Sequence, residues 1–176
     1  MGYNRGMKHQ TRAGITAVMA LMLCSLTRYS ASPLPRGFSP ARAPERYGLP
    51  ERKAAAGSIF DYMDGGGIVY IEHGFRELVH REFTDAGGRV ITFDRFAMGS
   101  PGQALAALAD PRIAPEGGAP LPLATRGKAY RFPPDYYIYM VQGESLIYLH
   151  VDDDRLAETL DQFAADILRS PEEKNK

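Results

Sequence analysis

No tryptophan occurs in this 176-residue chain, cysteine occurs once, and the formal net charge is zero. Without Trp, aromatic packing falls to ten Tyr and eight Phe, and of these two only tyrosine combines a large ring with a polar end. The one cysteine, Cys24, sits in an apolar N-terminal stretch. Downstream of it there is no thiol for a disulfide, a thiolate nucleophile or a cysteine metal site. No run of Lys and Arg is present, which excludes the usual nucleic-acid or anionic-lipid surface. A GxSxG nucleophile elbow, an HExxH zinc helix and a P-loop ending in Gly-Lys-Ser/Thr are also missing, so no established catalytic motif nominates a reaction.

What is there begins with a leader. Arg5, Lys8 and Arg12 precede the uncharged stretch from Ala13 to Cys24, and small residues follow at Ser30, Ala31 and Ser32. That order is the secretory pattern, and the apolar stretch is too short to span a bilayer. Residues 1–31 are therefore expected to be a signal peptide, with the protein exported to the periplasm or cell envelope and no transmembrane span in the mature chain. The run Leu21-Met-Leu-Cys24 leaves a lipid anchor at Cys24 open as an alternative. The leader holds four basic residues and no acid, so its removal leaves a net charge of about −4.

Residues 32–50 carry Pro33, Pro35, Pro40, Pro44 and Pro50, which fix φ and remove donors, so an extended tether is expected there. A single α+β domain is expected over 51–171, and a charged tail over 172–176. Within the domain, a helix is expected over 54–63, broken at Asp64-Gly65-Gly66-Gly67, then a second over 68–73 ending at Gly74. Two strands flank the turn Asp85-Ala-Gly-Gly88. Ser100-Pro101-Gly102-Gln103 is a strong helix start, with serine as cap and proline in the first turn. Residues 110–135 read as a long Pro/Gly-rich loop. A second hairpin follows over 136–151, and a final helix is marked by Leu156, Leu160, Phe163, Ala164, Ile167 and Leu168 at helical spacing. The expected fold is an antiparallel sheet of four or more strands built from hairpins, with helices packed on it.

Three clusters are candidates for chemistry. Asp61, Asp64, Glu72 and His73, with His80 nearby, form the densest ionisable group; paired carboxylates suit acid–base work. Their spacing fits no metal motif, and no metal or cofactor is assigned. Asp152-Asp-Asp154 reads as acids at a helix start, favoured by the macrodipole. The tyrosines Tyr130, Tyr136, Tyr137, Tyr139 and Tyr148, with Tyr62 and Tyr70, supply broad contact area suited to a ligand groove or an interface.

The phrase from Ser58 to Tyr70, then His73-Gly74-Phe75, resembles the opening motif of the DUF6599-type family of bacterial exported proteins. Phe96-Ala-Met-Gly-Ser-Pro-Gly-Gln-Ala104 is similar to that family's middle phrase, and Tyr136-Tyr137-Ile138 to its late strand. The chain departs from the pattern at Asp64, where the family has Asn, and at Gly67, where it has Ala. The resemblance implies export and a fold over roughly 50–170; the family carries no assigned activity. Together these readings put a binding or accessory module first, with a small molecule or an envelope protein as partner and Asp64, Gly65, Gly66, Tyr70 and Tyr137 as the ligand-binding candidates. A small hydrolase using Asp61, Asp64, Glu72 or His73 is the alternative, and a purely structural envelope domain the third reading.

Overall fold

The computed structural model describes residues 33–121 and 126–170. The expected signal peptide, Cys24 and the charged tail lie outside the described residues. The described residues all belong to one unit, residues 32–176.

In chain order the elements are β1 (Ser39–Pro40), β2 (Glu45–Gly48), β3 (Gly57–Ser58), α1 (Ile59–Met63), α2 (Gly67–Glu72), β4 (Phe75–Thr84) and β5 (Val90–Met98). Then come α3 (Pro101–Ala109), β6 (Ala119–Pro120), β7 (Gly127–Phe132), β8 (Asp135–Gln142), β9 (Ser145–Val151) and α4 (Ala157–Arg169). The strands form one sheet in the order β3-β2-β4-β5-β9-β8-β7-β6, with β1 also on β4. Every pairing among them is antiparallel except that of β2 with β3. The fold is α+β, and hairpins β4–β5 and β8–β9 interlock at its centre through β5 and β9.

Side chains alternate across the sheet, and each face has its own core. One face sets Phe83, Ile91, Phe93, Ile138, Met140, Ile147 and Leu149 against Leu160, Phe163, Ala164 and Ile167 of α4. The opposite face sets Leu78, Phe96, Val141 and Leu146 under Ile59 of α1, Tyr70 of α2 and Ala104, Ala107 and Leu108 of α3. The helices on this second face are short and cover only one end of it, so the remainder of the sheet is left to polar and aromatic side chains.

Three expectations need correcting. Residues 32–50 do not run as a free tether: β1 and β2 pair with β4, and Tyr47 is buried. The prolines permit this because Pro40 ends β1 and Pro44 precedes β2, where a missing N–H costs the ladder nothing. The first helix starts at Ile59 rather than 54. Gly57, at φ +128°, breaks the chain there, and the Asp61 carboxylate accepts from Ser58 N and Oγ at 2.8 and 2.9 Å to cap the new start. The 110–135 loop contains strand β7, which pairs along its whole length with β8. Its six residues lie between prolines and alternate too briefly to declare themselves.

The Gly corner also differs in detail. The unusual backbone belongs to Asp64, at φ +47°, and a side chain at Gly65 or Gly66 would meet nothing within 4 Å. Gly67 is the position with a packing reason: a Cβ there would lie 3.0 to 3.2 Å from side-chain atoms of Ile59 and Phe60, so glycine lets α2 sit down on α1.

Candidate functional site

The site is built from strand register. Glu45 of β2, His80 of β4, Asp94 of β5, Tyr148 of β9, Tyr139 of β8 and Lys128 of β7 are successive cross-strand partners. They form one row across the face that α1, α2 and α3 partly cover. The neighbouring row on one side, Tyr47, Leu78, Phe96, Leu146 and Val141, is the buried floor beneath those helices. The row on the other side is Glu82, Thr92, His150, Tyr137 and Tyr130. The His80–Asp94–Tyr148–Tyr139 row therefore runs along the border where helical cover ends.

At the centre of the row is a buried polar triad. Asp94 is 3% exposed and His80 5%. His80 Nδ1 donates to Asp94 Oδ1 at 2.7 Å, and the Tyr62 hydroxyl, arriving from α1, donates to Asp94 Oδ2 at 2.7 Å. An ionised carboxylate only accepts, so Asp94 fixes the ring proton of His80 on Nδ1. The other nitrogen, Nε2, faces the Arg42 guanidinium at 3.3 Å and Glu82 Oε1 at 3.7 Å. Arg42 is itself paired with Glu45 at 3.1 Å and Glu82 at 3.4 Å. The hydrogen bond to Asp94 raises the pKa of His80 above its ordinary 6.5, outweighing the opposing effect of burial. The hydroxyl of Tyr47, donating to Glu45 at 2.6 Å, is pushed up to about 12 chiefly by that bond.

Around the triad the tyrosines converge. Tyr62 packs 5.1 Å from both Tyr47 and His80. Tyr70 stacks on Phe96 at 4.3 Å. Tyr139 lies 4.8 Å from Tyr148 and stands nearly perpendicular to Tyr130 and Tyr137, which stack on each other. His150 continues the surface, parallel to Tyr148 and bonded to Asp135 at 2.8 Å. Phe132 closes the far edge over Tyr137 and is 60% exposed.

The hydroxyls of Tyr70, Tyr139 and Tyr148 make no hydrogen bond to any described residue, and none is a fully enclosed atom. Tyr70 is only 7% exposed, and Tyr139 and Tyr148 are half-buried. Buried polar groups are normally satisfied, so three unpartnered hydroxyls together constitute unused binding capacity. Burial is the main cause that raises the pKa of Tyr62, Tyr70, Tyr139 and Tyr148, and the charge of Asp94 adds to it in all four. They remain neutral O–H groups, able to donate and accept, throughout the physiological range.

The residues nominated from sequence are distributed unevenly over this geometry. Tyr70 and Tyr137 belong to the floor, with Tyr62, Tyr130, Tyr139 and Tyr148. Tyr136 points to the opposite face, where its hydroxyl bonds Asp161 of α4 at 2.6 Å. Asp64, Gly65 and Gly66 are exposed at the corner between α1 and α2. The four ionisable candidates are not brought together. Asp61 caps α1, with Lys53 3.8 Å away. Glu72 bonds Arg112 at 2.9 Å and His73 bonds Asp110 at 2.9 Å, while Arg112 and Asp110 hold each other. That network ties the end of α2 to the segment after α3. Asp94, Arg42 and Glu82 were missed altogether, and His80 was counted with the wrong partners.

Among the described residues no group of three or more His, Cys, Asp or Glu is placed to hold a metal ion. No described helix is long and apolar enough to cross a membrane. No family model matches the chain, and no curated protein does. Among solved structures the chain is similar to the extracellular domain of PknH from Mycobacterium tuberculosis, at 11% identity over 75% of this chain and 83% of that one, with a TM-score of 0.44.

Proposed function

We propose that this domain is a binding or accessory module whose ligand site is the tyrosine floor above Asp94 and His80. The observation that carries the reading is that three hydroxyls, those of Tyr139 and Tyr148 on the sheet and of Tyr70 on α2, have no hydrogen-bond partner among the described residues where the helical cover ends. A scaffold of paired strands holds such side chains in place before any ligand arrives, which lowers the ordering cost of binding. The leader pattern and the resemblance of the opening motif to the DUF6599-type family support an extracytoplasmic setting, with a small molecule or an envelope protein as partner.

Catalysis is the weaker reading. A His–Asp pair is an ingredient of general-base chemistry, but a base needs its second nitrogen open to substrate. His80 Nε2 is instead occupied by Arg42 and Glu82. Asp61, Glu72 and His73 are engaged in capping and in ties between elements.

The reading is tested with protein carrying 13C-labelled tyrosine, its ring signals assigned by single Tyr→Phe variants and recorded against a library of small polar fragments. Hits are expected to move Tyr70, Tyr139 and Tyr148 together and to leave Tyr136, on the other face, in place. Hits that move Tyr136 while the floor stays still would move the site to the α4 side and sink the proposal.

A further inference from the structure

The strap of residues 39–44 lies along β4 with few ties to it. β1 is two exposed residues, Ser39 opposite Thr84 and Pro40 opposite Phe83. Just past it, Ala41 N donates to Glu82 O at 2.9 Å, and strand pairing resumes only at Glu45. Ala41, Ala43 and Pro44 have no polar side chain, so between those points the fastening falls to Arg42. Its guanidinium reaches two residues of β4, His80 Nε2 at 3.3 Å and Glu82 Oε2 at 3.4 Å. Its third contact, Glu45 at 3.1 Å, lies three residues along the same segment and adds no tie to β4.

The contact with His80 depends on a lone pair. Nδ1 donates to Asp94 Oδ1 at 2.7 Å, so in the neutral ring Nε2 carries the lone pair and accepts from Arg42. A proton added at Nε2 turns that acceptor into a donor. A guanidinium has only donors, so the hydrogen bond is lost in every orientation, and two like charges stand 3.3 Å apart. The new N–H has a partner in place, Glu82 Oε1 at 3.7 Å. Glu82 is also the other hold of Arg42 on β4, so one proton removes one tie and draws on the second. The groups facing the ring come from every element packed there: Arg42, Glu45 of β2 with Tyr47 bonded to it, Tyr62 of α1, Glu82 of β4 and Asp94 of β5. Among these side-chain types, histidine is the one that ordinarily titrates between pH 5 and 8. The bond to Asp94 holds its pKa above 6.5, against burial and the charge of Arg42.

We propose that His80 and Arg42 form a proton-operated latch: with His80 neutral, Arg42 fastens the strap to β4, and protonation at Nε2 releases it as the imidazolium turns to Glu82. β2 stays in place, because it pairs with both β3 and β4 and buries Tyr47. Phe38, packed against the core under α4, holds the far end. The strap therefore loosens at β1 and Arg42 without leaving the domain. One proton has two opposite effects: it strengthens the bond between His80 and Asp94 and weakens the hold on the strap.

The test follows solvent exchange of the Ala41 amide by NMR on 15N-labelled protein, corrected for the intrinsic pH dependence of amide exchange. The ring nitrogens of His80, recorded on the same samples, give its titration. Ala41 protection is expected to fall about tenfold as His80 takes its proton, the loss of one hydrogen bond to a charged group, while amides of the β4–β5 ladder keep theirs. Linkage requires the reverse effect. Arg42→Met, at a half-exposed side chain, should raise the pKa of His80 and leave Ala41 poorly protected at every pH. His80→Gln, which does not titrate, should abolish the pH dependence; the Arg42 variant decides the matter if that one does not fold. Ala41 protection that ignores the His80 titration, or that still follows it in Arg42→Met, overturns the latch. A His80 pKa that stays or falls when the guanidinium is removed does the same.

Discussion

Replacing Asp94 with alanine is expected to cost about 3–5 kcal/mol of unfolding free energy, because it removes the acceptor of buried His80 and half-buried Tyr62 at once. The carboxylate is 3% exposed and accepts from both His80 and Tyr62. Its removal leaves an imidazole and a phenol 3.1 Å apart, able to bond each other but without the charged acceptor that satisfied both. Urea unfolding of wild type and variant at constant m-value measures the difference. The pH dependence distinguishes this from simple loss of packing. In the folded state His80 is held above 6.5 by its bond to Asp94. A raised pKa means that the folded protein binds the proton more readily than the unfolded chain. The contribution is therefore fully present on the acid side of 6.5 and is lost as pH rises through the folded value. The gap between wild type and Asp94→Ala should narrow as pH rises through that range. A gap that stays constant or widens would mean that the ion pair contributes nothing through His80.

Phe163→Ala is expected to cost about as much, 3–5 kcal/mol, by an unrelated route on the other face. Phe163 is 2% exposed and sits at the centre of the α4 interface, edge-on to Phe83 at 5.6 Å and 6.1 Å from Phe93. Deleting its ring opens a cavity between helix and sheet that the paired strands cannot close by moving. The same unfolding measurement gives the loss, and it should show no pH dependence of its own. The two positions lie on opposite faces with no shared partner, so the double variant should lose nearly the sum. A double variant that loses much less would mean that the two faces do not unfold as one unit.

Much of the framework was legible because its signals were local. The turn at Asp85 is closed by its own carboxylate, which accepts from the backbone N–H groups of Gly87 and Arg89 at 2.9 Å each. The start of α3 is fixed by Ser100 accepting from Gln103 N at 3.2 Å. The apolar stripe of α4 needs only helical spacing. The site was less legible because it depends on register. His80 faces Asp94 only if β4 and β5 pair so that Thr84 opposes Val90. A slip of one residue would set Phe93 opposite His80 and turn Asp94 to the other face. Nothing in a ten-residue strand states that register by itself. Asp94 consequently read as an ordinary polar position in an alternating strand, and His80 was grouped with acids close in sequence rather than across the sheet. The tyrosines stood out through their density alone, and alternation could have separated Tyr136 from Tyr137 and Tyr139. The N-terminal prolines misled for a related reason: they exclude a central strand, but Pro40 only ends β1 and Pro44 lies just before β2, so β2 pairs on both sides with its own donors intact.

The most direct test of the account is a crystal structure of the protein soaked with the fragments that move its tyrosine signals in solution. Density is expected above Tyr139 and Tyr148, within hydrogen-bond reach of the Tyr70 hydroxyl, with the His80–Asp94–Tyr62 bonds intact beneath it. Density confined to the groove of Leu121, Glu158, Asp161 and Leu168 beside α4, with an empty tyrosine floor, would contradict it.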